Sequence, residues 1–87
     1  KKDRIFEFFM MGLRTVKGVS KQKFENQFGI PFPKEIEKLF FRWEKDGLAE
    51  INEKDGNLYF TLGKKGLVFL NRFLQELLSF LEIFVIY

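Results

Sequence analysis

Residues Leu48–Leu62 of this 87-residue chain read LAEINEKDGNLYFTL. The second half of this stretch places apolar residues at alternate positions, which is typical of a β-strand with one buried face (Leu58, Phe60, Leu62). The dipeptide Asp55-Gly56 just before it has the chemistry of a two-residue hairpin turn. The sequence therefore predicts a β-hairpin over residues 48–62.

Two short helices are predicted before residue 30. Apolar side chains recur at helical spacing over residues 3–12, which places them on one side of a helix. Ser20 has the chemistry of an N-cap for the second helix, and Gly29 fits the left-handed position that ends it. Gly12 and Gly18 bracket the connector between these two helices.

Two further helices are predicted around the hairpin. Pro33 suits the first position of a helix that ends at Gly47, and its apolar residues follow the spacing of a core-facing helix (Ile36, Leu39, Phe40, Trp43). From about Lys64 onward, a stripe of leucines predicts one long last helix. Charged residues interrupt its apolar stretch, so we do not expect it to span a membrane. The order helix, helix, helix, hairpin, helix predicts a small α+β domain of winged-helix-like type.

The composition restricts the chemistry that this chain could perform. It contains no Cys and no His, which excludes a thiolate nucleophile, a disulfide, a cysteine-ligated iron–sulfur cluster and the usual zinc sites. It also lacks the commonest general base near neutral pH. No clustered pair of carboxylates, lysines or tyrosines stands out, so we expect neither a catalytic residue nor a metal site here. No secretory signal is recognisable, so we expect a cytoplasmic protein.

The net charge of +3 is concentrated near the N-terminus. Residues 1–23 carry seven Lys/Arg against two Asp/Glu, which fits either a solvated helix end or a patch that meets an anionic partner. The predicted third helix is neutral overall and the hairpin is acidic. Because phosphate neutralisation dominates DNA affinity, this pattern disfavours nucleic-acid binding. A free-standing winged-helix nucleic-acid-binding protein stays open as an alternative.

The stretch from Glu7 to Arg14, EFFMMGLR, followed by Gly18-Val19, resembles a signature of the C-terminal domain of the oxygen-independent coproporphyrinogen III oxidase family. This family includes radical SAM coproporphyrinogen dehydrogenases and closely related haem chaperones. Further elements of the family pattern follow in order, over roughly residues 4–78: Phe28-Gly29, Asp46-Gly47-Leu48, Leu62-x-x-x-Gly66 and Asn71.

The resemblance implies that residues 1–87 are a single C-terminal accessory domain of a larger radical SAM protein, and that the catalytic domain lies outside this chain. The parent oxidoreductase would use a [4Fe-4S] cluster and S-adenosylmethionine to convert coproporphyrinogen III to protoporphyrinogen IX in haem biosynthesis. This chain, without activity of its own, would cover or dock beside the tetrapyrrole. Its partners would be its own radical SAM domain and the tetrapyrrole or haem. The same domain of a radical SAM haem chaperone is the alternative.

Arg14 has two competing interpretations. Its guanidinium could bond the last carbonyls of the first helix or pair with a carboxylate such as Glu7. Alternatively, Arg14, with Lys17 nearby, could face the catalytic domain or the propionates of the substrate, because Arg suits bidentate carboxylate contacts. We expect Trp43 in the core rather than stacked on a porphyrin. The family motif marks the following residues as structural or as facing the domain or substrate: Glu7, Gly12, Leu13, Arg14, Gly18, Gly29, Gly66 and Asn71.

Overall fold

A computed structural model of the protein describes the backbone of residues 2–86 and the side chains of residues 3–82. Within that range it is an α+β domain of five helices and one three-stranded antiparallel sheet, as the sequence predicts in class. The likeness to winged-helix proteins, which rests on the order of elements, stays a prediction. The elements are α1 (Lys2–Gly12), β1 (Val19–Ser20), α2 (Lys21–Phe28), α3 (Lys34–Lys45), β2 (Ala49–Lys54), β3 (Asn57–Leu62), α4 (Lys64–Val68) and α5 (Leu70–Ile86).

The predicted hairpin is confirmed, and a third strand joins it. Strands β2 and β3 pair in antiparallel register around Asp55 and Gly56, whose φ angles of 54° and 79° are those of a type I′ turn. Strand β1 pairs with the other edge of β3, so the strand order is β1-β3-β2. The sequence does not reveal β1 because two residues are too few to show a period.

The caps of α2 and α3 agree with the prediction, except that α3 begins one residue later than predicted. The Ser20 hydroxyl accepts a hydrogen bond from the backbone N–H of Lys23, and Gly29 ends α2 with a φ of 67°, as predicted. Helix α3 begins at Lys34 rather than Pro33, because Pro33 has the extended ψ of 128° that belongs to the cap position. Gly47 follows α3 with a φ of 76°.

The predicted long last helix is present as α5, but it begins at Leu70 rather than at about Lys64, because residues 64–68 form the separate helix α4, whose C-cap is Phe69. Gly66 packs against the Leu48 backbone, where an added Cβ would overlap the carbonyl oxygen. Helix α4 is therefore held against the start of the hairpin, while α5 packs along α1. As a result Leu67 leaves the predicted apolar stripe and becomes exposed, whereas Phe73 is fully buried. The sequence also predicts that Phe84 continues the apolar stripe and that Val85 extends it around the helix, but both side chains lie outside the described residues.

Phenylalanine rings form the centre of the core. Phe40 and Phe60 stack with ring centroids 4.7 Å apart, and Phe32 stacks on Phe60 at 5.2 Å. Such pairs contribute about 0.5–1.5 kcal/mol beyond their burial. Trp43 packs edge-on against Phe73, so its predicted core position is confirmed. Among the described residues, the helices are too short or too polar to cross a membrane.

Candidate functional site

An open groove of about 1080 Å³ runs between α1, α2, the connector over residues 13–18 and β3; we call it the α1–α2 groove. Helix α1 forms one wall, α2 forms the other, and the connector and β3 close its ends. Its lining side chains of interest are Arg4, Glu7, Phe8, Met11, Thr15, Val16, Lys17, Gln22, Lys23, Asn26, Gln27, Asn57 and Tyr59.

The connector is shaped by its own hydrogen bonds. The Thr15 hydroxyl donates to the Gly12 carbonyl at 2.8 Å and accepts from the Gly18 backbone N–H at 3.0 Å. Gly18 has a φ of 81°, and an added Cβ would overlap the Phe60 carbonyl oxygen. Only glycine therefore allows the connector to approach β3 this closely. This closure presents Val16 and Lys17 at the rim of the groove.

A second set of hydrogen bonds joins the start of α2 to the sheet. The Asn57 side-chain amide donates to Ser20 Oγ at 2.9 Å, and its oxygen accepts from the Gln22 backbone N–H at 3.2 Å. Ser20 Oγ also accepts from the Lys23 backbone N–H at 3.1 Å. This network fixes the α2 wall relative to β3, so the groove is held by the fold rather than by a mobile loop.

The charges of the groove are unevenly distributed. Arg4 and Glu7 both lie on α1 and leave that wall neutral, whereas Lys17 on the connector and Lys23 on α2 carry two positive charges. Within the described part of the chain, no ion pair or side-chain hydrogen bond neutralises these four groups. The connector and α2 side of the groove is therefore available to a negatively charged ligand.

The α1 wall and the connector also offer apolar surface. Met11 and Val16 are 66% and 99% exposed, far more than is usual for their types. The half-buried Phe8 ring packs edge-on against Phe9 and Phe24 with centroids 5.6 and 5.5 Å apart, so one part of it stays available to the groove. Apolar surface beside unpaired cations suits a ligand with an apolar body and carboxylate or phosphate groups.

Four of the residues that the sequence singles out meet at this groove: Glu7, Gly12, Lys17 and Gly18. Leu13 is buried in the core instead. Arg14 is exposed beside the groove but does not line it, and its guanidinium bonds no residue that the structure describes. The proposed pairing of Arg14 with Glu7 is therefore not seen.

The remaining family-motif residues lie away from the groove, and two of them have a structural role. Gly29 ends α2 and Gly66 lets α4 approach Leu48, as described above. Asn71 lies exposed in the first turn of α5, and its side chain makes no hydrogen bond with the described residues.

The sequence analysis includes Arg4 and Lys23 only in the basic excess of residues 1–23, and it does not identify the carboxamides of α2 as groove residues. A signal exists, because Gln22 and Asn26, like Lys23 and Gln27, are four residues apart and share one face of α2. A polar helix face usually faces solvent, however. This face of α2 lines a groove only because α1 lies opposite it.

The described residues contain no group of three or more Asp and Glu side chains that could hold a metal ion. The chain also has no Cys, and a [4Fe-4S] cluster of the radical SAM type requires thiolate ligands. The residues of this domain therefore do not fit the cluster that the family implies, and we assign no step through that cluster to them.

Comparison with known families identifies the kind of protein. Residues 1–62 match the family model described as the HemN C-terminal domain, which covers well over half of the chain. The chain belongs to this family, the C-terminal domain of oxygen-independent coproporphyrinogen III oxidase-like proteins, and the resemblance inferred from the sequence is confirmed. No curated protein and no solved structure matches the chain significantly.

Proposed function

We propose that this chain is the C-terminal accessory domain of a cytoplasmic, oxygen-independent coproporphyrinogen III oxidase-like protein, and that it covers the tetrapyrrole substrate. The parent would convert coproporphyrinogen III to protoporphyrinogen IX, with the [4Fe-4S] cluster and S-adenosylmethionine held by its radical SAM domain. One observation carries the proposal beyond family membership: the α1–α2 groove combines exposed apolar side chains with unpaired cations. A tetrapyrrole with propionate side chains has the complementary chemistry.

The two sides of the groove have different tasks in this proposal. Lys17 and Lys23 bind propionate carboxylates, and Phe8 and Met11 contact the apolar ring system. Glu7 repels carboxylates from the α1 wall and so favours one orientation of the ligand. The groove supports Lys17 as a substrate contact more strongly than Arg14, because only Lys17 lines it.

The test uses the full-length parent, purified anaerobically with its cluster reconstituted. Loss of coproporphyrinogen III is followed in the presence of S-adenosylmethionine and a reductant. Exposed charge pairs contribute about 0.2–1 kcal/mol each, so Lys17→Gln with Lys23→Gln should raise KM about two- to thirtyfold. Lys34→Gln with Lys38→Gln on α3 removes the same charge away from the groove and should leave KM unchanged. Equal effects of the two pairs would contradict the proposal.

The haem-chaperone alternative has one observation in its favour. Met11 lines the groove with an exposed thioether, and thioether sulfur is an axial ligand of haem iron in some proteins. Titration of the same parent with haem separates the two functions. Haem binding without turnover, weakened by Met11→Leu, would support the chaperone role, whereas turnover supports the oxidase role.

A further inference from the structure

The corner between α4 and α5, over residues 64–72, is exposed at nearly every position. Leu67, Val68 and Phe69 are consecutive, and 44%, 78% and 45% of their respective surfaces are exposed. Single apolar residues scattered over a surface are normal, whereas three exposed neighbours in the chain make this corner a candidate interaction site. The α4–α5 corner shares no residue with the α1–α2 groove.

The charged residues of the corner have one sign. Lys64, Lys65 and Arg72 are all exposed, and no Asp or Glu occurs from residue 56 to residue 75. The cations therefore flank the apolar patch on both sides along the chain. Such an arrangement attracts an anionic surface and leaves the apolar side chains free to enter it.

Carboxylates from other elements approach the corner but do not reverse its charge. Glu50 lies near the start of α4, with Oε2 3.6 Å from the position that a Cβ on Gly63 would take. Glu76 already has partners: its carboxylate lies 3.6 Å from the Arg42 guanidinium and accepts a hydrogen bond from the Trp43 indole N–H. Asp46 is a further acidic group beside the corner, and it lines a small cavity together with Phe69.

We propose that the α4–α5 corner docks on an anionic phospholipid surface. Leu67, Val68 and Phe69 would enter the boundary between headgroups and acyl chains, while the flanking cations contact the headgroups. A peptide partner fits less well, because the cavity beside Phe69 holds only about 200 Å³ and four of its seven lining residues are charged (Arg42, Asp46, Arg72, Glu76).

The test is co-sedimentation of the 87-residue chain with vesicles of phosphatidylcholine, with and without phosphatidylglycerol. The chain should sediment with the anionic vesicles only, and added salt should release it because salt screens the attraction. Val68→Asp should abolish this binding. Lys64→Gln with Lys65→Gln should weaken the partition coefficient roughly fivefold for each lysine lost.

The α1–α2 groove, which shares no residue with the corner, supplies matched controls. Val16→Asp changes a residue of the same type that is at least as exposed, and Lys17→Gln with Lys23→Gln removes the same charge from the groove. Both controls should bind anionic vesicles like the unmodified chain, and circular dichroism verifies that every variant is folded. Failure of the unmodified chain to bind, unchanged binding of Val68→Asp, or loss caused by Val16→Asp would each overturn the proposal.

Discussion

The indole N–H of Trp43 donates a hydrogen bond to Oε2 of Glu76 at 3.1 Å and thereby joins α3 to α5. The same carboxylate lies 3.6 Å from the Arg42 guanidinium. One partly exposed acid on α5 thus satisfies the only polar atom of a large, buried ring on α3. This contact links the helix pair that precedes the hairpin to the helix that follows it.

We predict that Glu76→Ala destabilises the domain, because the Trp43 N–H loses its acceptor while the ring stays buried. The expected loss is about 1–2 kcal/mol in the free energy of unfolding, measured by urea denaturation. Glu76→Gln keeps an acceptor oxygen and should recover most of the loss. Glu44→Ala, an exposed change on α3, is the control and should have little effect. Equal stabilities of the two alanine variants would contradict this role of Glu76.

Gly66→Ala should be among the most destabilising small substitutions in the chain. The new methyl group would overlap the Leu48 carbonyl oxygen, and backbone cannot move aside as a flexible side chain can. We expect a loss of about 3 kcal/mol or more in thermal or chemical unfolding. Gly29→Ala meets no atom within 4 Å and only the left-handed φ opposes it, so about 1 kcal/mol is expected there. A smaller effect at Gly66 than at Gly29 would show that α4 is not held as described.

Ser20 and Asn57 should act as one unit. Ser20→Ala removes the α2 cap and leaves the Asn57 amide without its acceptor, so we expect a loss of about 1–2 kcal/mol. Asn57→Ala should cost a similar amount. Because the two residues share a hydrogen bond, the double variant should lose less than the sum of the single variants in a double-mutant cycle. Strict additivity would indicate that the two side chains act independently.

The turn at Phe69 can be tested by comparing two phenylalanines of the last segment. Phe73→Ala empties a fully buried site and should cost about 3–5 kcal/mol, whereas Phe69→Ala truncates a half-exposed ring and should cost about 1 kcal/mol. In a continuous helix from Lys64 onward, Phe69 and Phe73 would lie on the same face, because they are four residues apart. Comparable losses at both positions, measured by denaturant unfolding, would favour that continuous helix.

Much of the secondary structure is predictable from local residue chemistry. The turn at Asp55-Gly56, the caps at Ser20 and Gly29 and the apolar face of α3 depend on neighbours within a few residues, so the linear pattern contains them. The family membership is also carried by the order of short motifs along the chain. The exclusion of cysteine chemistry follows from composition alone.

Other features depend on contacts between residues far apart in the chain, and no local pattern contains them. Strand β1 exists because Val19 meets Phe60, and the turn after α4 accompanies the contact of Gly66 with the Leu48 backbone. The orientation of the connector likewise separates Lys17, which lines the groove, from Arg14, which does not. Burial and close backbone approach determine these outcomes, because they are properties of packed surfaces rather than of neighbouring residues.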